Sequence, residues 1–90
     1  MLGITKPSEE LLFEKIKALS NKRRFLIIEK TQNKELPITE LGKVINLSYT
    51  KCADYVTFLE KKGLVSKSKR GRLTFVKSRV KIKGKALFFE

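Results

Sequence analysis

Leu41-Gly42-Lys43-Val44-Ile45-Asn46-Leu47-Ser48-Tyr49-Thr50-Lys51-Cys52-Ala53-Asp54-Tyr55 is the stretch on which the fold of this 90-residue chain turns. Leu41 and Ile45 are four apart and share a helix face. The helical period then breaks at Asn46-Leu47-Ser48. Asn46 tolerates the left-handed conformation that ends a helix, and Ser48 is a good cap for the next one. Cys52 and Tyr55 resume the apolar spacing beyond the break. Two helices crossing through so tight a turn need a small residue where their backbones touch, and Gly42 stands at that place. Leu41, Ile45, Leu47, Cys52 and Tyr55 make up the apolar set between them.

Working outward, a third helix of roughly Ile38 to Ile45 and a fourth from Tyr49 to Lys62 flank the turn, giving a two-helix unit at about residues 38–62. Gly63 closes the fourth helix as the residue most tolerant of positive φ. Pro37 disfavours helix in the residue before it, so Leu36 is expected to be extended. Asn21 is a cap for a second helix over residues 22–32, where Phe25 and Ile28 point one way and Leu26 and Ile27 broaden the buried arc. Ser8 is the expected cap of a first helix ending at Leu19, with Glu9 and Glu10 at its positive end. Its Leu12, Ile16 and Leu19 share a face, and Leu11 and Phe13 widen that stripe beyond what a small core needs, which suggests a partner.

From Leu64 the period changes to two, predicting a β-hairpin over about residues 64–82. Leu64-Val65-Ser66-Lys67-Ser68 is one run, Lys69-Arg70-Gly71-Arg72 the turn, and Leu73 to Lys83 the second run. In that second run Val76, Ser78, Val80 and Ile82 fall on one side, and Lys77, Arg79, Lys81 and Lys83 on the other, so one strand is expected to carry a row of four cations. The apolar tail Gly84–Glu90 is read as a short closing helix or a docking segment. The fold class is therefore α+β, mainly α, in a single domain spanning residues 1–90, since a chain this short supports one core.

Charge narrows the function. The formal net charge is +12. Residues 1–60 carry ten Lys and Arg against eight Asp and Glu, while residues 61–90 carry eleven against one, so +10 lies in the last third. Such a field attracts polyanions, nucleic acid first and anionic membrane second. Phe25-Leu26-Ile27-Ile28 is far shorter than the roughly 20 apolar residues of a membrane span, and no signal-peptide pattern opens the chain, so a cytoplasmic, nucleoid-associated protein is expected. With one cysteine, Cys52, and no histidine, no catalytic residue, metal site or cofactor is expected, and an enzyme is disfavoured.

The chain resembles ArsR-type winged-helix proteins through Ala18-Leu19-Ser20-Asn21-Lys22-Arg23-Arg24-Phe25 and Ile38-Thr39-Glu40-Leu41. It is also similar to the archaeal ten-kilodalton winged-helix DNA-binding proteins through Asn46-Leu47-Ser48-Tyr49, Tyr55, Phe58-Leu59, Lys62-Gly63-Leu64 and Ile82-Lys83-Gly84-Lys85-Ala86-Leu87-Phe88. The resemblance implies a winged helix-turn-helix fold and a homodimer on double-stranded DNA. Metal-sensing ArsR proteins use Cys, His and acidic clusters that this sequence lacks, so no metal site carries over. Archaeal relatives that dimerise by a long C-terminal coiled coil extend past the point matching Glu90. A dimer is therefore expected through residues 8–19 and 84–90.

On that fold the fourth helix enters the major groove with Tyr49, Thr50, Lys51 and Asp54 facing away from the core, Asp54 being equally able to pair with a basic residue of the protein. The hairpin cations Lys67, Lys69, Arg70 and Arg72 are expected along the phosphate backbone or in the minor groove. Tyr55 and Cys52 are read as core. Three functions compete: a transcriptional regulator, a sequence-tolerant architectural or chromatin protein, and a protein-interaction winged helix. The polar face of the fourth helix ranks the last of these below the other two.

Overall fold

Helix α1 (Pro7–Ala18) leads into α2 (Lys22–Thr31), the two-residue strand β1 (Leu36–Pro37), α3 (Ile38–Val44) and α4 (Tyr49–Lys61). Strands β2 (Val65–Arg70), β3 (Leu73–Ser78), β4 (Val80–Lys83) and β5 (Ala86–Phe89) complete the chain. This computed structural model describes residues 7–90, with side chains from residue 9 onward. The expected cap Ser8 lies inside the first turn of α1, which begins at Pro7, and its side chain falls outside the described residues. Proline suits a first helical position because its missing N–H would have no partner there.

The interhelical turn is built as the residue types require. Asn46 has φ 59° and Leu47 N donates to Gly42 O at 2.8 Å, which ties off the end of α3. Ser48 Oγ accepts from Lys51 N at 3.2 Å to start α4. A Cβ on Gly42 would stand 3.0 Å from the backbone oxygen of Leu47 and 3.7 Å from Cys52 Cβ. The same closure recurs at the far end of α4: Gly63 has φ 75°, Gly63 N donates to Glu60 O and Leu64 N to Leu59 O, both at 2.9 Å. Asn21 Oδ1 accepts from Arg24 N at 3.1 Å, capping α2 as expected.

The core lies where α2, α3 and α4 meet one face of the sheet. Ile27 and Ile28 come from α2, Leu41 from α3, Cys52, Val56 and Leu59 from α4, and Leu64, Val65, Val76 and Val80 from the chain around the strands. Phe25 and Leu26 are both half-buried, Leu26 packing against the core, while Ile27, Ile28 and Thr31 carry the buried side of α2. β1, β3 and β2 form one antiparallel sheet in that order, with Leu36 opposite Val76 and Val65 opposite Ser78. Gly71, at φ 64°, turns the β2–β3 hairpin.

Two expectations are corrected beyond this hairpin. The run from Leu73 to Lys83 is two strands, broken at Arg79, and the tail is a strand rather than a closing helix. Ser78 Oγ accepts from Val80 N at 2.9 Å and donates to Val80 O at 2.8 Å, so the backbone groups of Val80 turn to a side chain. Arg79 N still bonds Leu64 O at 2.8 Å, the last rung of the first hairpin, while Arg79 O accepts from Glu90 N at 3.0 Å, the first rung of a new one. β4 and β5 form that second hairpin, with Val80 opposite Phe89 and Ile82 opposite Leu87. The row of four cations is thus divided between two sheets. Period-two alternation runs unbroken through the junction, and the aromatic pair Phe88-Phe89 favours strand over helix once β4 offers an edge.

Gln32, the C-terminal cap of α2, fastens the helix to both hairpins. Its backbone oxygen accepts from Lys77 Nζ at 2.7 Å, and its Oε1 accepts from Ile82 N at 2.8 Å. A cation at the negative end of a helix is favourable in its own right.

Gly42→Ala places a methyl group against a backbone oxygen that cannot move without opening the turn. We expect it to destabilise the fold by about 1–3 kcal/mol, read from the urea midpoint at unchanged m-value. Wild-type stability in this variant would show that the helices do not meet at Gly42.

Candidate nucleic-acid interface

Cys52, Val56 and Leu59 face the core, spaced as one stripe along α4. At 3.6 residues per turn the positions directly opposite are Thr50, Asp54, Thr57 and Lys61, and all four are exposed. Tyr49, 53% exposed, and Lys51 flank them in the first turn. That turn holds no acid, so the positive end of the helix is left uncompensated and favours an anion. Asp54 makes no ion pair among the described residues, so its carboxylate stays available on the outward face. Cys52 is fully buried, and burial pushes its thiol pKa up.

The β2–β3 hairpin stands beside α4, and its pleat sorts the four expected cations. Opposed residues share a face, so Val65, Lys67 and Lys69 lie with Thr74, Val76 and Ser78, on the side that packs on the core at its base. Ser66, Ser68 and Arg70 lie on the other side with Phe75. Lys67 Nζ is 3.4 Å from Glu60 Oε1 of α4, a link that holds the hairpin against the helix. Arg70 lies over the Phe75 ring, 3.8 Å from its centroid, and pairs with Glu35. Lys69 and Arg72 make no ion pair or hydrogen bond with side chains of the described residues. Two of the four expected cations, Lys67 and Arg70, thus have carboxylate partners within the protein, while Lys69 and Arg72 at the tip have none among the described residues.

A family model for the winged helix-turn-helix matches residues 24–79, from the first turn of α2 through the end of β3. The chain belongs to the winged helix-turn-helix family. Its α3 and α4 are the helix-turn-helix, and the β2–β3 hairpin is the wing. No curated protein matches the sequence. Among solved structures, HlyU from Vibrio cholerae superposes with a TM-score of 0.77 at 24% identity, over 82% of this chain and 80% of that one. The transcriptional regulator HlyU from Vibrio vulnificus gives 0.69 at 27%, over 79% and 71%. A homodimeric winged helix-turn-helix DNA-binding domain from Mycobacterium bovis, a possible ArsR-family transcriptional regulator, gives 0.73 at 20%, over 87% and 75%.

Several contacts that position α4 have no signature in the sequence. Arg23 Nη1 donates to Ile45 O at 3.1 Å and Asn46 O at 3.0 Å, so α2 grips the turn of the helix-turn-helix through its backbone. Arg24 lies over Phe58, 4.5 Å from its centroid, and Lys62 approaches the same ring at 5.6 Å while pairing with Glu14 of α1 at 3.2 Å. Lys61 also belongs to the outward face by helical spacing, beyond Thr57, which the sequence already placed there. Helical periodicity carried one turn further could have found it.

Arg23→Ala leaves two carbonyls at the turn without a charged donor and should cost about 1.5–3 kcal/mol in unfolding free energy. Cys52 offers an independent reading: its buried thiol should resist alkylation by iodoacetamide in wild type and be alkylated faster in Arg23→Ala, as the turn opens more often. Equal alkylation rates in the two proteins would show that Arg23 does not hold the turn.

Proposed function

We propose that the protein is a transcriptional regulator that binds double-stranded DNA, with α4 in the major groove and the wing tip on the backbone or in the minor groove. The observation that carries this is the pairing of a polar, outward recognition face with the unpartnered tip cations Lys69 and Arg72. Lys51 donates to guanine or phosphate, Thr50 and Tyr49 bond phosphate or pack on a thymine methyl, and Asp54 accepts from cytosine N4. Lys67 and Arg70 act by holding the wing to Glu60 and Glu35, which fixes the angle between wing and helix.

The exposed side of α1 supports a homodimer. Leu12, Phe13 and Ile16 are 46%, 62% and 50% exposed and share one side of the helix, an apolar surface larger than isolated surface residues account for. A second copy of α1 across a two-fold axis would bury it, and the homodimeric domain from Mycobacterium bovis shows that this architecture pairs in one relative. Residues 84–90, the other expected dimer segment, belong to a hairpin whose outward side carries Lys81 and Lys83, so pairing two copies there sets like charges together. The dimer proposal therefore rests on α1.

Two substitutions separate reading from anchoring. Lys51→Ala should weaken binding more on a site selected from a random duplex pool than on mixed-sequence duplex, by about 1–3 kcal/mol if it reads guanine. Equal losses on both would place it on phosphate alone and favour an architectural protein. Lys69→Ala combined with Arg72→Ala should flatten the slope of log K against log salt by up to about two on every duplex, and an unchanged slope would place the wing away from DNA.

A further inference from the structure

The β4–β5 hairpin lies wholly outside the matched family region, which ends at residue 79, yet it holds much of the exposed positive charge. Lys81 and Lys83 share one side of it with Phe88 and Ala86, since opposed residues point the same way. Lys85 sits in its turn beside Gly84, at φ 59°. The three lysines are exposed, and none has an ion pair or hydrogen-bond partner for its side chain among the described residues. In the wing, by contrast, Lys67 and Arg70 are neutralised by Glu60 and Glu35.

Lysines on a sheet often serve to guard an open edge against pairing. That function does not fit this hairpin. Its open edge is β5, Ala86-Leu87-Phe88-Phe89, which carries no charge. The lysines stand on β4, which has β5 on one side and Gln32 bonded to Ile82 N on the other. Phe88, 53% exposed, is left in the open directly across from Lys81. Unpaired cations around an exposed aromatic ring are a surface for a phosphate backbone with its apolar sugars, and the opposite side of the hairpin, with Val80, Ile82 and Phe89, packs on the core and holds that surface rigid.

We infer that the β4–β5 hairpin is a second polyanion-binding element, in which Lys81, Lys83 and Lys85 engage DNA phosphates outside the site covered by α4 and the wing. The inference rests on the DNA-binding reading and extends it. Those phosphates belong either to the same duplex beyond the wing or to a second duplex held by the same protein.

The test uses the full chain and a mixed-sequence duplex several helical turns long. Lys81→Ala, Lys83→Ala and Lys85→Ala together should flatten the slope of log K against log salt by up to about 2.7, in addition to the effect of removing the wing-tip pair. A control removing the same charge from Lys22, Lys30 and Lys34 should change the slope by much less. Energy transfer between two differently labelled duplexes, present with wild type and lost in the triple variant, assigns the phosphates to a second duplex. A nuclease footprint shortened by the triple variant, with no energy transfer, assigns them to the same one. A triple variant whose slope matches the control overturns the inference, even where the wing-tip pair still flattens the slope and the DNA-binding reading stands. Absence of duplex binding by wild type overturns both.

Discussion

The approach of α4 to α3 at Gly42 is the constraint on which the rest depends. With no side chain there, the carbonyl of Leu47 comes to within 3.0 Å of where a Cβ would be, and the turn closes in the four residues between α3 and α4. A larger residue would push the helices apart and lift Cys52 out of the shared core. The crossing then decides which side of α4 is buried, and so which side is left for a ligand. Everything that follows Leu64 is placed by the same packing, because the Gly63 turn returns the chain to the core from the far end of that helix.

Positive charge does two jobs in this molecule, and the structure separates them. Arg23, Lys67, Arg70 and Lys77 face the protein: they bind carbonyls or carboxylates and fix the angles between α2, α4 and the two hairpins. Lys51 and Lys61 on α4, Lys69 and Arg72 at the wing tip, and the lysines of the second hairpin face outward. Each inward pair is worth little as a surface ion pair alone. Its value lies in holding an orientation, since a wing that swings freely contributes less to recognition than one set at a fixed angle.

Local chemistry was legible in the sequence wherever one residue type answers one backbone need. Asn46 and Gly63 at positive φ, the caps at Asn21 and Ser48, the extended Leu36 before Pro37 and the turn at Gly71 all follow from such needs. The outward face of α4 was legible because helical spacing fixes it. The break at Arg79 was not, since period-two alternation continues through it and only the bond between the Ser78 hydroxyl and Val80 reveals the bend. The closing strand was hidden for a related reason: a short apolar tail takes its form from whatever edge it meets. Nor does sequence spacing show that Glu35 and Glu60 claim Arg70 and Lys67, from 35 and 7 residues away, and charge counting alone therefore overstates the wing.

The central claim is that α4 and the wing tip face duplex DNA together. It is tested most directly by following backbone amide chemical shifts of the full chain as a selected duplex is added. The account predicts the largest shifts along residues 49–61 and 69–72, with the exposed side of α1 unaffected. Shifts concentrated on α1, with α4 silent, would contradict it.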